Sequence, residues 1–335
     1  MTAPTVARLS TPGDLLAVVP ALCGFTPAES LVVLSLRGPR RRVGLTARVD
    51  LPRDDGEPLV AELFADRVQA DGAADVAVAV YSELGRRERL VTLLGQACEE
   101  RSVGVLSALH VAGGCWTSYS CALACCPPSG TPVPTSSAVA GLVAAEQAAT
   151  GRVVLGSREE LVRSLAPPDG AAAVGARQRT AEATAAWSRS RVEHGASAAR
   201  RATLEHARAL LDRVEQGGQV GPTDAAVLAV GLADVAARDG LATLAPRRSD
   251  GLLSLLLQVA GQVAPPDDAA TCALLGWVAY GRGDGALANV ALDRALASSP
   301  DHGLALLLRA CLDGGVPPDA VRASVRSARR RRRRR

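Results

Sequence analysis

Hydrophobic and polar positions in the first 125 residues alternate between two periods, which predicts strands and helices in turn. Short apolar runs typical of strands cover residues 30–36, 42–51, 74–84 and 103–114. Helix-spaced segments cover residues 12–24, 57–72 and 86–102. The turn-forming stretch 38–41 joins the first two strands as a hairpin, and the later strand–helix–strand order favours parallel pairing. The pattern therefore predicts an N-terminal α/β domain built on a mixed sheet.

Every periodic segment after the loop at residues 127–137 predicts a helix. These segments cover residues 138–150, 157–165, 171–216, 223–245, 250–263, 269–281, 285–298 and 301–313. The long segment 171–216 is rich in Ala and Arg, weakly amphipathic and interrupted at Gly195, which is typical of a partly mobile connector. The second half of the chain is thus predicted to be all-α.

Residues 269–302 fit one unit of a tetratricopeptide-like helical hairpin. Small and apolar residues at Leu275, Gly276, Ala288, Leu292 and Ala295 allow two antiparallel helices to approach, and Pro300 ends the second helix. A helical hairpin of this kind offers a surface for a protein partner.

These patterns divide the chain into four predicted segments. A mixed α/β domain covers residues 1–137 and includes a Cys-rich loop at 113–130. A helical connector region covers 138–222, a helical domain with the hairpin covers 223–325, and residues 326–335 form a disordered arginine tail.

Composition changes this picture in one place, the C-terminus. All 38 basic residues are arginine, and eight of them lie in the last ten positions, Arg326 and Arg329 to Arg335. Without that tail the chain has 30 basic and 34 acidic residues, so its body is mildly acidic. The tail could neutralise nucleic-acid phosphates without reading sequence, although a codon-driven terminal extension accounts for it as well.

The stretch Gly113–Gly130, GGCWTSYSCALACCPPSG, holds half of the eight cysteines. Paired thiolates two to four residues apart are typical of zinc sites, and Cys121 and Cys125 come near that spacing. Together with Cys126 and with His110 on the preceding strand they make a candidate zinc site. The alternative, which the sequence favours, is a set of reduced, packed thiols in a Pro-terminated loop. The cofactor is therefore unknown, with zinc as the candidate.

Further candidates for a ligand or thiol site lie beside this loop and at a strand end. Trp116, Ser118 and Tyr119 accompany the cysteines, and Arg48 and Asp50 end the second predicted strand, where open α/β sheets bind ligands. No P-loop, HExxH, GxSxG or strand-following GxGxxG motif occurs. The sequence favours a non-catalytic protein that binds a protein partner or a small ligand, with an enzyme at the Cys-rich loop as the alternative.

Several stretches together resemble one known family. They are LSTPGDLLAVVPALCGFTPAESLVVLSL (9–36), VGLTARVDLP (43–52), WTSYSCALACCPPSGTPVP (116–134), VAARDGLATL (235–244) and ALLGWVAYGRGDGALANVALDRALASSPDH (273–302). Their combination is similar to the actinobacterial family called domain of unknown function 4192. The resemblance covers nearly the whole chain apart from the tail. It implies a cytoplasmic actinobacterial protein of unassigned activity, in agreement with the lack of an apolar run long enough to span a membrane.

Overall fold

A computed structural model describes residues 8–121, 123, 126–134, 137–149 and 153–322 of the chain. The arginine tail and Cys125 therefore lie outside the described residues. The chain divides into two compact units, Met1–Arg158 and Glu159–Arg335. The first unit contains a sheet and the second contains helices, so the predicted order of an α/β region followed by an all-α region is confirmed. The finer four-part division stays a prediction.

The first unit is built on a mixed six-stranded sheet in the order β2-β1-β3-β4-β5-β6. Its strands are β1 (Ser30–Arg37), β2 (Arg42–Asp50), β3 (Ala73–Tyr81), β4 (Gly104–Ala112), β5 (Cys115–Ser118) and β6 (Thr131–Pro132). The predicted hairpin pairs β1 with β2, and β3 and β4 are parallel because helix α3 (Glu88–Glu100) crosses between them. The other strand pairs are antiparallel.

Helices cover both faces of the central strands, so these strands read as continuous apolar runs. Helices α2 (Glu57–Ala70) and α3 pack on one face through residues such as Phe64 and Leu94. Helix α1 (Pro12–Cys23) packs on the other face through Leu16 and Val19, and helix α4 (Ala138–Ala149) packs against α1. Thr11 and Asp14 form a capping box at the start of α1, and Gly24 ends the helix in the left-handed region at φ 79°. We refer to these faces as the α2–α3 face and the α1 face.

A carboxylate fixes the end of β1 where the hairpin is irregular. Asp71 accepts hydrogen bonds from the Arg37 side chain, from the Ser35 hydroxyl and from the Leu45 N–H. Burial of Asp71 raises the pKa of its carboxyl, but these hydrogen bonds outweigh that effect and hold the pKa below its ordinary value. A Cβ at Gly44 would meet three of these polar atoms within 2.6 Å, so only glycine fits there.

The structure corrects two of the predicted elements. The Cys-rich segment 113–130 is not loop throughout, because Cys115–Ser118 pairs with β4 as β5 and Thr131–Pro132 then pairs with β5. The predicted helix 223–245 breaks into α8 (Pro222–Leu232) and α9 (Val235–Ala242). Asp234 causes this break: its side chain accepts the N–H groups of Ala236 and Ala237 and so starts a new helix.

Helices make up the described part of the second unit. In addition to α8 and α9 they are α5 (Arg158–Ser164), α6 (Gly170–His194), α7 (Ala196–Glu215), α10 (Ala245–Ala260), α11 (Ala269–Gly281), α12 (Gly285–Ser298) and α13 (Gly303–Asp313). The predicted interruption at Gly195 is confirmed, since it separates α6 from α7. Both helices bury residues, Ala176 and Thr180 in α6 and Leu210 and Leu211 in α7, and both pack against α8.

Arg294 of α12 ties four segments of this unit together. Its side chain is 9% exposed, and its Nε donates to the fully buried carboxylate of Asp268 at 2.7 Å. Nη1 donates to the Leu165 carbonyl at 2.6 Å, and Nη2 donates to the carbonyls of Ala260 and Val263 at 2.8 and 3.0 Å. Ala260 ends α10, and Leu165 directly follows α5. Arg294 therefore satisfies carbonyls that helix ends leave without partners.

Replacing Arg294 should destabilise the protein strongly. In Arg294→Met the apolar stem is kept, but Asp268 stays buried without its counter-charge, and several carbonyls lose their donor. The expected loss is about 3–5 kcal/mol in the free energy of unfolding. Urea denaturation followed by far-ultraviolet circular dichroism measures it. Arg189→Met, an exposed arginine on α6, is the matched control and should change stability by less than about 0.5 kcal/mol. Equal stability of the two variants would contradict the role of Arg294.

Candidate functional site

Trp116 lies in the sheet and not in an open loop. It occupies β5 opposite Val111 of β4, and both side chains belong to the core on the α1 face. The Trp116 side chain is buried at 7% exposure, and its indole Nε1 has no hydrogen-bond partner among the described residues. Trp116 is therefore a core residue of the α1 face.

The described residues that follow Trp116 form a turn and then return to the α1 face. The Ser118 hydroxyl accepts hydrogen bonds from the N–H groups of Ser120 and Cys121 at 3.2 and 3.0 Å. Further on, the Cys126 N–H donates to the Leu123 carbonyl at 2.8 Å, and the Cys126 side chain packs against the α1-face core. Ser118 is thus a turn cap in this structure.

Tyr119 lies on the opposite face of the sheet, against the α2–α3 core. The Tyr119 hydroxyl accepts the Arg87 N–H at 3.0 Å, and the Arg86 guanidinium lies 4.2 Å from the ring centroid. Burial raises the pKa of Tyr119 above its ordinary value, although the Arg87 N–H and the two nearby arginines oppose the shift. Tyr119 therefore stays protonated and anchors the start of α3.

His110 shares the α2–α3 face with Tyr119. The two rings meet edge to face with centroids 6.3 Å apart, and the imidazole Nε2 lies 2.9 Å from the Ser82 carbonyl oxygen. Cys126 packs on the other face of the sheet. Within the described residues no group of three or more His, Cys, Asp or Glu side chains is arranged to hold a metal ion. Because Cys125 lies outside those residues, the zinc site stays a prediction.

Arg48 and Asp50 form a separate group at the edge of β2. The Arg48 side chain pairs with Asp50 at 2.5 Å and donates from Nε to the Ser30 hydroxyl at 2.9 Å. Its guanidinium lies 5.4 Å from the centroid of the Phe25 ring. The predicted site residues therefore fall into three places: Trp116 and Cys126 on the α1 face, His110 and Tyr119 on the α2–α3 face, and the Arg48 group at the sheet edge.

Three thiols elsewhere are buried deeply enough to suppress their reactivity. Burial raises the pKa of Cys23 to about 12, of Cys98 to about 11 and of Cys272 to about 12. The nearby guanidiniums of Arg48, Arg101 and Arg294 oppose these shifts only in part. Since the thiolate is the nucleophile, these cysteines act as small core residues.

A cleft in the helical unit is lined by side chains that were not predicted from the sequence as site residues. Its volume is about 500 Å³. It lies where α6, α7 and the start of α9 meet, and its walls include Trp187, Arg191, Arg200, Asp234, Val235 and Asp239, with methyl groups of two alanines between them. Volumes of this size are typical of small-molecule sites.

Trp187 and Arg191 form one wall of this cleft. They lie four residues apart on α6, so they share a face of the helix. The Arg191 guanidinium lies 4.8 Å from the Trp187 ring centroid, and the indole also packs against Ala183, Ala226 and Val230. The exposed Arg191 guanidinium has no hydrogen bond or ion pair with the residues that the structure describes, and the buried indole Nε1 likewise has no acceptor there.

Arg200 and Asp234 form the opposite wall. Arg200 Nε lies 2.9 Å from both oxygens of Asp234, which also accepts the N–H groups of Ala236 and Ala237 at 3.0 Å. Burial opposes the charge on Asp234, but these hydrogen bonds and Arg200 outweigh it and hold the pKa of Asp234 below its ordinary value. The pair joins α7 to the first turn of α9 and so fixes this wall.

Sequence reasoning missed this cleft because its residues are spread between positions 187 and 239 in segments without a motif. One local signal was present: Trp187 and Arg191 stand four residues apart in a helix that is otherwise rich in Ala and Arg. Asp234 is a strong N-cap residue inside an apolar run, and it also marked the start of a helix.

Comparison with known proteins gives one match. A family model described as Domain of unknown function (DUF4192) matches residues 12–319. No curated protein and no solved structure matches the chain. Within the described residues, no helix combines the length and the apolar character that crossing a membrane requires.

The three buried thiols should resist alkylation in the native protein. At about pH 8, a thiol whose pKa is raised by two units carries about a hundredfold less thiolate than an ordinary one. Peptide mass spectrometry after timed iodoacetamide treatment should show Cys115 and Cys311, which are partly exposed, labelled well before Cys23, Cys98 and Cys272. In urea all five should label at similar rates. Equal native rates would show that the buried thiols are open to solvent.

Proposed function

Since the chain belongs to the family described as Domain of unknown function (DUF4192), which assigns no activity, we propose its function from the site: it is a non-catalytic protein that binds a ligand in the cleft of its helical unit. The observation that supports this most directly is Arg191, whose guanidinium lies 4.8 Å from the centroid of the Trp187 ring and has no acceptor among the described residues. A guanidinium beside an aromatic ring, with its donors unused, is suited to the recognition of a ligand.

The fixed wall of the cleft supports binding more than catalysis. Asp234 is a carboxylate, but Arg200 and two backbone N–H groups occupy it, and its lowered pKa keeps it from acting as a proton acceptor near neutral pH. Asp239 is paired with Arg238 at 3.0 Å. The cleft therefore offers guanidinium donors and an aromatic wall without an activated base.

The hairpin of α11 and α12 supports a second binding surface within the same proposal. The two helices pack against each other, and a Cβ at Gly276 would lie 2.8 Å from the Leu292 side chain and 3.4 Å from the Ala288 carbonyl oxygen. We propose that residues 269–302 form a tetratricopeptide-like unit and that a protein partner binds there. We also propose that the protein is cytoplasmic and of actinobacterial origin.

Two alternatives predicted from the sequence stay predictions. Zinc or thiol chemistry at Cys121, Cys125 and Cys126 depends in part on Cys125, which lies outside the described residues. Binding of nucleic acid through Arg329 to Arg335 depends on a segment that lies outside them entirely.

Truncating the aromatic wall should weaken ligand binding. We expect a set of neutral, acidic and basic aromatic fragments to include compounds whose binding weakens about tenfold or more in Trp187→Ala, because the stacked wall is lost. Ligand-observed saturation-transfer NMR measures this on the intact protein. Trp187→Phe is the matched control and should keep part of the affinity. If no fragment binds, or if every bound fragment is retained by Trp187→Ala, the proposal is wrong.

A further inference from the structure

We infer that the ligand of this cleft is a small organic anion, a carboxylate or phosphate on a compact apolar body; this inference rests on the proposed function. The shared chemistry is an oxyanion with two or more acceptor oxygens. The charges, donors and apolar groups of the cleft each support one part of this description.

Two arginines and two aspartates line the cleft, and Arg238, which pairs with Asp239 from outside the lining, makes three cations against two anions. Asp234 is neutralised by Arg200, and Asp239 is neutralised by Arg238. Arg191 is the cation that remains, since no described carboxylate pairs with it. A ligand that carries one negative charge would therefore make the cleft neutral, whereas a cationic ligand would add repulsion.

The donors in the cleft suit an oxyanion. The Arg191 guanidinium lies 4.8 Å from the Trp187 ring centroid, and a planar guanidinium can donate to two oxygens of one anion at once. Arg200 uses Nε for Asp234, while its terminal nitrogens make no hydrogen bond with the described residues. Arg191 and Arg200 both line the cleft, so a phosphate could accept from both and a carboxylate from one or both.

The remaining walls favour an apolar body attached to the anion. Val235 lines the cleft and is 58% exposed, and Ala233 and Ala236 lie beside it. This apolar area at the start of the helix is open to water. Covering it with a ligand is favourable, because apolar surface is then removed from water. The volume of about 500 Å³ suits a ligand with one ring or a short branched chain.

Four probes separate these elements: benzoate, phenyl phosphate, neutral benzamide and inorganic phosphate. Isothermal titration calorimetry on the full chain should give affinities for benzoate and phenyl phosphate at least about tenfold above that for benzamide, because hydrogen bonds to an ionised acceptor are about twice as strong. Phenyl phosphate should also bind more tightly than inorganic phosphate. The affinities of the two organic anions should fall as salt is raised, while that of benzamide should not.

Two variants test the assignment to Arg191. Arg191→Gln should weaken the two organic anions about tenfold and leave benzamide unchanged, because the substitution removes the charge but keeps a polar side chain of similar length. Arg189→Gln removes an exposed arginine from the same helix outside the cleft and should change none of the affinities. Because Arg191 is exposed, both variants should give the circular dichroism spectrum of the parent.

The outcomes distinguish this inference from the function on which it rests. If benzamide binds as tightly as benzoate and Trp187→Ala abolishes both, the cleft binds ligands but the assignment to anions is overturned. If inorganic phosphate binds as tightly as phenyl phosphate, the apolar body is overturned. If none of the probes binds, the inference fails, and the fragment comparison with Trp187→Ala decides the proposed function separately.

Discussion

The helical unit depends on one buried guanidinium, that of Arg294. With 2% aromatic residues, the chain fills its interior with Ala, Leu and Val, and small side chains let helices approach closely. Close approach brings helix ends together inside the protein, where the last carbonyls have no intrahelical donor. Arg294 supplies those donors to the ends of α5 and α10, and the buried carboxylate of Asp268 balances its charge. A lysine could not serve as many acceptors in a fixed plane.

An arginine–aspartate pair at a helix end also builds the cleft, where a second arginine, Arg191, has no carboxylate partner among the described residues. Arg200 ties α7 to the capped start of α9 through Asp234, just as Arg294 ties helix ends through Asp268. Arg191 differs because its neighbour is the aromatic ring of Trp187, which does not satisfy the guanidinium donors. A site with an aromatic wall and a cation that has no acceptor among the described residues is suited to an anion.

The sequence predicted strands β1 to β4 and most helices because period and turn residues are local signals, as the β1–β2 hairpin and the start of α1 at Pro12 illustrate. It placed Trp116 in a loop because a four-residue strand is too short to show alternation, and pairing with β4 decides its structure. It also grouped His110 with Cys126, although strand register places them on opposite faces of the sheet. The cleft could not be predicted from the sequence, because Trp187, Arg200 and Asp234 meet only through helix packing, which one sequence does not specify.

The central claim is that an organic anion binds against Trp187 and Arg191, and the indole N–H signals of the three tryptophans test it most directly. Trp187 can be assigned in a ¹H–¹⁵N spectrum by its loss in Trp187→Phe, and Trp116 and Trp277 serve as internal controls because both are buried. On titration with phenyl phosphate, we predict that the Trp187 signal shifts and saturates while the other two stay in place. A Trp187 signal that does not move, or three signals that move together, would contradict the account.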